Sequence, residues 1–484
     1  MKTDSAPPVP SSSLPASNLP QRRRAKLLLL AYACSPSHGS DEAVGWTWAL
    51  QAARYADTWV ICEKNAYQDL VEGYFREQGR PEGLNFAFVE KPRWLRALGR
   101  VPGFYYPTYN WWHRRAFAAA RRLHENHRFD AAHQLNYCGY REPGYLWKLG
   151  VPFLWGPIGG TQNVPWRFLT TLSLRSAVAE AIRGVLNYLQ LRLSRRVRAA
   201  ADRATVLMTA NSTTQDDFRR VHGIESLRLC EVQLPEMSGR VRPAKRQGDT
   251  LRLLWSGLFH EFKGLGLLLR ALALLPPATH WHLDVVGDGR SRNRWMRQAA
   301  RLGLADRITW HGWLPRSEAL DHCRRTDVFV FTSLRDTTGT VVLEALAAGA
   351  PVLCLDHQGA RDIVTDQCGI KIPVTRPSET IAQLASAIVA LASDGERIES
   401  LSRGALARAA DFMPAARDGV YLEALRRALG ERFLWEPRNA AESVNSEIPE
   451  IDDAAGQPSD LGNGAQVEPD AASCESTTCG GGGG

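Results

Sequence analysis

The run from Asp327 to Asp356, DVFVFTSLRDTTGTVVLEALAAGAPVLCLD, constrains the fold more than any other part of the chain. Residues 328–332 and 351–355 are short and almost continuously apolar, the pattern of strands in a parallel sheet covered on both faces. Between them the sequence predicts a helix over 340–348, carrying Val341, Val342, Leu343, Ala345, Leu346 and Ala347. A helix apolar on nearly every side is a buried one. Its single charge, Glu344, is costly to bury unless something hydrogen-bonds to it. The loop 333–339 leaves the carboxyl end of a strand and enters a helix N-terminus, where open α/β sheets hold ligands and unpaired amides favour an anion. The unit therefore predicts a site for an anionic ligand such as a diphosphate, with a carboxylate within reach. An ordinary strand–loop–helix unit with a solvated or ion-paired Glu344 is the alternative that local sequence leaves open.

At 484 residues the chain exceeds one typical core, and 44% apolar residues with 15 Trp argue for a globular protein. Strands are predicted at 26–33, 58–62, 84–89, 129–133, 152–155 and 204–211, with helices at 42–55 and over the Arg- and Leu-rich stretch 173–203. After a polar linker at 243–249 the alternation restarts: strands at 251–256, 282–286, 308–311, 328–332 and 352–355, and helices at 264–275, 378–392, 398–410 and 419–433. The expected architecture is α/β, with two doubly wound Rossmann-like domains (25–241 and 250–411) facing each other across a cleft and a C-terminal helix in 412–435. The Pro/Ser-rich segment 1–24 and the acidic tail 436–484 are expected to be disordered.

Charge is unevenly shared. The whole chain carries +8, and residues 441–484 hold nine acidic residues and no basic ones, so residues 1–440 carry +17. Such a body suits phosphorylated small molecules, anionic lipid or nucleic acid. Nucleic acid is set aside because the basic residues are not interleaved with stacking aromatics in any recognisable module. The nine cysteines form no CxxC or zinc-finger spacing, and Cys34 and Cys354 fall in apolar runs as small buried hydrophobes. A reducing cytoplasm fits that pattern. No apolar run approaches the ~20 residues needed to span a bilayer. The triplet Arg22–Arg23–Arg24 before Leu27 mimics a signal peptide, but the short apolar run reads better as a first buried strand. Arg-rich 183–203, with leucines interleaved, is read as a membrane-surface helix or, alternatively, a solvated helix with one core face.

Four motifs of the second half follow in order: Gly257-Leu258 with Lys263-Gly264, Gly287-Asp288-Gly289, His311-Gly312-Trp313, and Asp336 and Glu344 with seven residues between them, leading into LEALAAGAPV. Here the chain resembles the retaining glycosyltransferases of the GT-B fold, glycosyltransferase family 4, whose pattern is G-R…K-G, G-x-G and E-x7-E. The resemblance covers about 250–430 strongly and 26–215 more weakly, through AYACSPSHGSDEAVGW and PFLWGPIGG. Two positions depart: Asp336 stands in place of Glu, and Leu258 in place of Arg, so one of two phosphate cations is missing.

The resemblance implies that Glu344 accepts hydrogen bonds from both ribose hydroxyls of a UDP- or GDP-sugar. Lys263 would face the diphosphate, and the amides of Gly339, Thr340 and Val341 would cradle it, beside Gly257, Gly287 and Gly312. Asp336 would hold a donor-sugar hydroxyl, and His133 would point at the donor sugar. Gly39 and Ser40 would form an acceptor or phosphate loop. Lys263 in solvent, a satisfied structural His133 and an ordinary tight turn at Gly39 are the alternatives. The loop at 155–160 is expected to face the cleft without an assigned role. No metal or cofactor is expected. A glycan or lipid-linked saccharide would be the acceptor, in surface polysaccharide assembly, at the cytoplasmic side of a membrane. A sugar-nucleotide epimerase or a phosphorylase of the same plan, or a non-catalytic nucleotide-sugar binder, are the rival readings.

Overall fold

The computed structural model describes residues 23–438, apart from 38–40, 102, 136, 138, 235–236, 238 and 247. Of the flanking segments expected at 1–24 and 436–484, residues 1–22 and 439–484 lie outside the described residues, as does the Gly39–Ser40 loop.

Seven parallel strands form the first sheet: β1 (Ala25–Leu30), β2 (Ala56–Glu63), β3 (Leu84–Val89), β4 (Ala131–Gln134), β5 (Phe153–Ile158), β6 (Val206–Thr209) and β7 (Leu227–Arg228), in the order β3-β2-β1-β4-β5-β6-β7. The second sheet holds β8 (Leu251–Ser256), β9 (Trp281–Val286), β10 (Ile308–Gly312), β11 (Val328–Phe331), β12 (Val352–Leu355) and β13 (Gly369–Ile372), in the order β10-β9-β8-β11-β12-β13. Both are doubly wound, with the order turning back at the first strand of each half, where such sheets open a crevice at the carboxyl edge. The predicted apolar runs are these strands. In β11 and β12 every residue is buried, as a strand covered on both faces requires.

Three departures from the expected organisation have physical causes. The stretch 173–203 is two helices, Leu174–Leu193 and Arg195–Arg203, because Ser194 is extended (φ −70°, ψ 105°) and its hydroxyl caps the second helix at the Val197 amide. The turn Trp166–Thr171 packs into the other domain: Val164, Phe168 and Leu172 join the apolar cluster of β8, β9 and the Leu265–Leu272 helix. The last helix, Pro414–Leu429, returns to the first domain, where Tyr421, Ala424, Leu425 and Leu429 complete the cluster around β1 and Trp48. Asp418 on it binds Gln51 (3.0 Å) and Arg54. The edge strand β13 was not anticipated: its middle residues are half-buried, so it lacks the apolar run of its neighbours. The six described cysteines are free, and Cys34 and Cys354 are fully buried. Among the described residues no helix is long and apolar enough to cross a membrane.

Candidate active site

The carboxyl ends of β10, β9, β8 and β11 are neighbours, so the turns that follow them share one edge of the sheet. Each turn carries one of the predicted motifs. The Gly287 amide donates to the Gly312 carbonyl (2.7 Å), and that of Gly257 to the Val286 carbonyl (3.1 Å). Gly287 has φ +120°, and a Cβ there would come 2.0 Å from the Gly257 carbonyl oxygen, so no side chain fits where these backbones cross. The result is a bare backbone ledge spanning three strands.

Lys263 is brought to the ledge by pairing of the loops after β8 and β11. The Leu334 amide donates to the Phe262 carbonyl (2.8 Å). The Trp255 indole donates to the Thr332 hydroxyl (3.2 Å), which donates in turn to the Lys263 carbonyl (3.3 Å). Gly264 follows at φ +74°, and a Cβ there would lie 2.1 Å from the Thr332 carbonyl oxygen. With the loops zipped together, Lys263 Nζ sits 2.6 Å from Asp336 Oδ2, both side chains mostly buried. The two candidate charges thus neutralise each other.

The loop after β11 ends at Gly339 (φ +78°), which starts the Thr340–Ala347 helix. The first amides of a helix have no intrahelical acceptor, so Gly339, Thr340 and Val341 offer N–H groups where the loop opens. Glu344, one turn in, is mostly buried; its Oε1 accepts from Arg316 Nε (3.1 Å) and lies 3.0 Å from Arg316 Nη2 in an ion pair. Burial pushes the Glu344 carboxyl above its usual range, against the pull of Arg316. Arg316 was not foreseen. It lies on a separate helix, Arg316–Arg325, and no local spacing links it to Glu344.

The expected orientation of His133 toward the donor sugar is corrected. His133 is fully buried in β4, with Nε2 donating to the Gly156 carbonyl (2.6 Å) and the Tyr421 hydroxyl donating to Nδ1 (3.2 Å). Trp48 packs edge-on against its ring. Burial depresses its pKa to about 4. A neutral imidazole with both nitrogens engaged is a structural element of the first domain.

The first domain instead presents amides that sequence reasoning missed, just past the WGPIGG motif. Gln358 Nε2 donates to the Asn163 carbonyl (2.9 Å), while Gln358 Oε1 accepts from the Asp336 amide (2.7 Å). Asn211 Nδ2 donates to the Thr337 carbonyl (2.8 Å), and the Thr337 hydroxyl reaches Gln162 Oε1 (3.4 Å). Arg335 and Glu180 form a buried ion pair at 3.1 Å. Buried Glu231 accepts from the Thr338 hydroxyl, and its own carboxyl is raised by burial. Every residue from 335 to 338 is therefore anchored, four of these contacts coming from the opposite domain. The polar run Thr161-Gln162-Asn163 after two glycines is the one signal that marked this face.

Among the described residues one group could hold a metal ion: Asp284, His311 and His322, whose ligand atoms lie within 4.8 Å of one another. His311 Nε2 and Asp284 Oδ1 are 2.6 Å apart. Asp284 lies on β9, His311 on β10 immediately before Gly312, and His322 on the Arg316–Arg325 helix.

Residues 250–394, which carry the whole ledge, match the family model described as glycosyl transferases group 1. The lipopolysaccharide core biosynthesis glycosyltransferase LpsE of Rhizobium meliloti is 29% identical over 170 residues, 35% of this chain and 48% of its own length. A D-inositol 3-phosphate glycosyltransferase of Thermobispora bispora is 32% identical over 194 residues, 37% of this chain and 44% of its own. The chain thus spans about half the length of the curated relatives it matches. Among solved structures, the lipopolysaccharide outer core galactosyltransferase WaaB aligns with a TM-score of 0.56 at 12% identity, covering 83% of this chain and 99% of that one. HepE of Anabaena, in complex with UDP, aligns at 0.52 and 17% identity with the same coverage. At these identities the likeness is one of fold. The chain carries a glycosyl transferases group 1 domain at residues 250–394, within the two-domain GT-B architecture.

Proposed function

We propose that this chain is a retaining glycosyltransferase that moves a sugar from a UDP- or GDP-sugar to a hydroxyl of a glycan or lipid-linked saccharide. The observation that carries the reading is the convergence on one sheet edge of a backbone ledge, a lysine, a helix N-terminus and two carboxylates. A diphosphate at the Thr340 helix start would draw Lys263 from Asp336 and leave that carboxylate to accept a donor-sugar hydroxyl. Glu344 would exchange Arg316 for the ribose hydroxyls. The name of the LpsE relative supports a role in surface polysaccharide assembly, and that of HepE with UDP supports a uridine nucleotide.

The charges are what supports retention. Inversion needs a general base opposite the leaving group, and His133, the candidate read from the sequence, is sealed in the core. With Lys263 and the helix amides converging on the diphosphate, the bond from the anomeric carbon to the phosphate oxygen breaks as the acceptor oxygen bonds on the same face. The acceptor proton passes to the departing diphosphate. Proton NMR of the anomeric coupling tests this, after a screen of nucleotide sugars for turnover. An α-linked product from an α-linked donor is expected, and a β-linked product would overturn the scheme. Nucleotide-sugar binding without turnover on any acceptor would leave a binding protein instead.

A further inference from the structure

The strands β9 and β10 gather a second set of polar side chains. In β9, Trp281, Leu283 and Val285 are buried in the apolar cluster of the second domain, so the strand's alternation turns His282 and Asp284 to the other side. Asp284 is the register partner of Thr309 in β10, which sets Thr309 and His311 on that same side. The register shifts between Trp310 and Gly312, leaving His311 without a partner on β9. Such a bulge re-aims a side chain. His311 Nε2 lies 2.6 Å from Asp284 Oδ1, and His282 Nε2 lies 4.0 Å from the same oxygen. The Arg316–Arg325 helix adds His322, its ring centroid 4.2 Å from that of His311 and its plane tilted by 53°. Three of the chain's 12 histidines thus surround one carboxylate.

Geometry and donor chemistry name what such a set can hold. The ligand atoms of Asp284, His311 and His322 all lie within 4.8 Å of one another, so a point at their centre is no more than about 2.8 Å from each. Zinc binds imidazole nitrogen and carboxylate oxygen at about 2.0–2.2 Å, so rotations that draw each atom in by less than about 1 Å complete the shell. Magnesium and calcium take oxygen ligands, whereas two imidazoles and one carboxylate suit a divalent transition metal. Three protein ligands leave the fourth corner of a tetrahedron to water. Asp284 and His311 are 27% and 22% exposed, enough for an ion to enter from solvent. A hydrogen bond between Asp284 and His311 accounts for two of the three residues, and a shared cation accounts for the convergence of His322 on them.

We propose that Asp284, His311 and His322 form a binding site for a divalent transition metal of the zinc class, which fastens the Arg316–Arg325 helix to the edge of the second sheet. In the metal-free chain the Asp284–His311 contact keeps two ligands together, and the metal ties in the third from a separate element. The sequence reading expected no metal, because ligands spread from 284 to 322 over two strands and a helix leave no zinc-finger spacing. With metal bound the helix is held near both ends, by the ion at His322 and by Glu344 at Arg316. Where the ribose of a donor takes Glu344 from Arg316, the metal keeps the helix in place. That consequence rests on the transferase reading, whereas metal binding itself does not. The transfer scheme assigns the diphosphate to Lys263 and the helix amides, so the metal acts on stability and not on turnover.

The test is zinc titration of the full-length chain, stripped of metal with a chelator and free of nucleotide sugar, followed by calorimetry, with cobalt as a spectroscopic probe. One zinc per chain with a Kd of about 1 μM or tighter is expected, with cobalt bands of nitrogen and oxygen ligation. Zinc should raise Tm, and magnesium should not. His322→Gln and Asp284→Asn should each weaken zinc binding at least about tenfold and remove the rise in Tm. Without metal, His322→Gln should melt as wild type does, which separates lost ligation from a lost fold; Asp284→Asn, which keeps the side-chain volume, serves where it does not. The inference falls if the chain binds no zinc or if both variants bind it as tightly as wild type. It falls equally if cobalt shows only thiolate charge-transfer bands that both variants retain, which would give the ion to cysteines. Sugar transfer is assayed separately, so the two proposals fail independently.

Discussion

The two domains share one doubly wound plan but place their cleft residues by different means. In the second domain each group rides on the turn that ends its own strand, and backbone crossings such as Gly287 on Gly257 fix the turn. In the first, Gln162, Asn163 and Asn211 reach the cleft from the ends of two strands and are held by the opposite domain. A local device works with its own few residues and leaves a pattern in them. A site held by long-range hydrogen bonds leaves almost none.

The largest expected effect probes the local side. Lys263→Ala removes the cation facing the leaving diphosphate, and kcat/KM should fall by about 10²–10³-fold, with Asp336 left uncompensated. A change below tenfold would remove Lys263 from the site. Gly287→Ala sets a Cβ against the Gly257 carbonyl and should cost about 3 kcal/mol or more in urea denaturation. Gly223→Ala, at an ordinary left-handed position (φ +69°, ψ 22°) with nothing within 4 Å of the new Cβ, should cost only about 1 kcal/mol. Equal losses would mean that the ledge is not crowded.

His133 sharpens the other side of the comparison. Its folded pKa is depressed from 6.5 to about 4, so its contribution is intact above pH 6.5 and is lost as pH falls toward 4. That loss is on the order of 3 kcal/mol. His113 (about 3) and His357 (about 4) act in the same sense. His133→Gln should flatten the acid limb of stability against pH while leaving the pH profile of transfer unchanged. A vanished ionisation in kcat would return His133 to the chemistry. Glu344→Gln should weaken donor binding by about 1–3 kcal/mol in calorimetry, and unchanged affinity would make Glu344 only a partner for Arg316. The smallest expected effect is none: EDTA should leave transfer intact, because Lys263 and the helix amides can neutralise the diphosphate. Loss of activity restored by magnesium or manganese would overturn that and direct attention to Asp284, His311 and His322.

Most of the second domain was legible in its residues. Apolar runs such as VFVF and VLCL can only be buried strands, and a glycine at a strand end marks a backbone that must pass close to another. These are properties of neighbours in the chain, which one sequence records directly. The folded chain alone decided the rest. It sealed His133 between Gly156 and Tyr421, the latter 288 residues away in sequence, paired Glu344 with Arg316, carried Phe168 into the other domain's core and returned the Pro414–Leu429 helix to the first. It also turned one side of the Leu174–Leu193 helix to the cleft and left the other bare. Each of these is a contact between segments far apart in sequence, and neither residue type nor spacing encodes which remote partner the packing will bring.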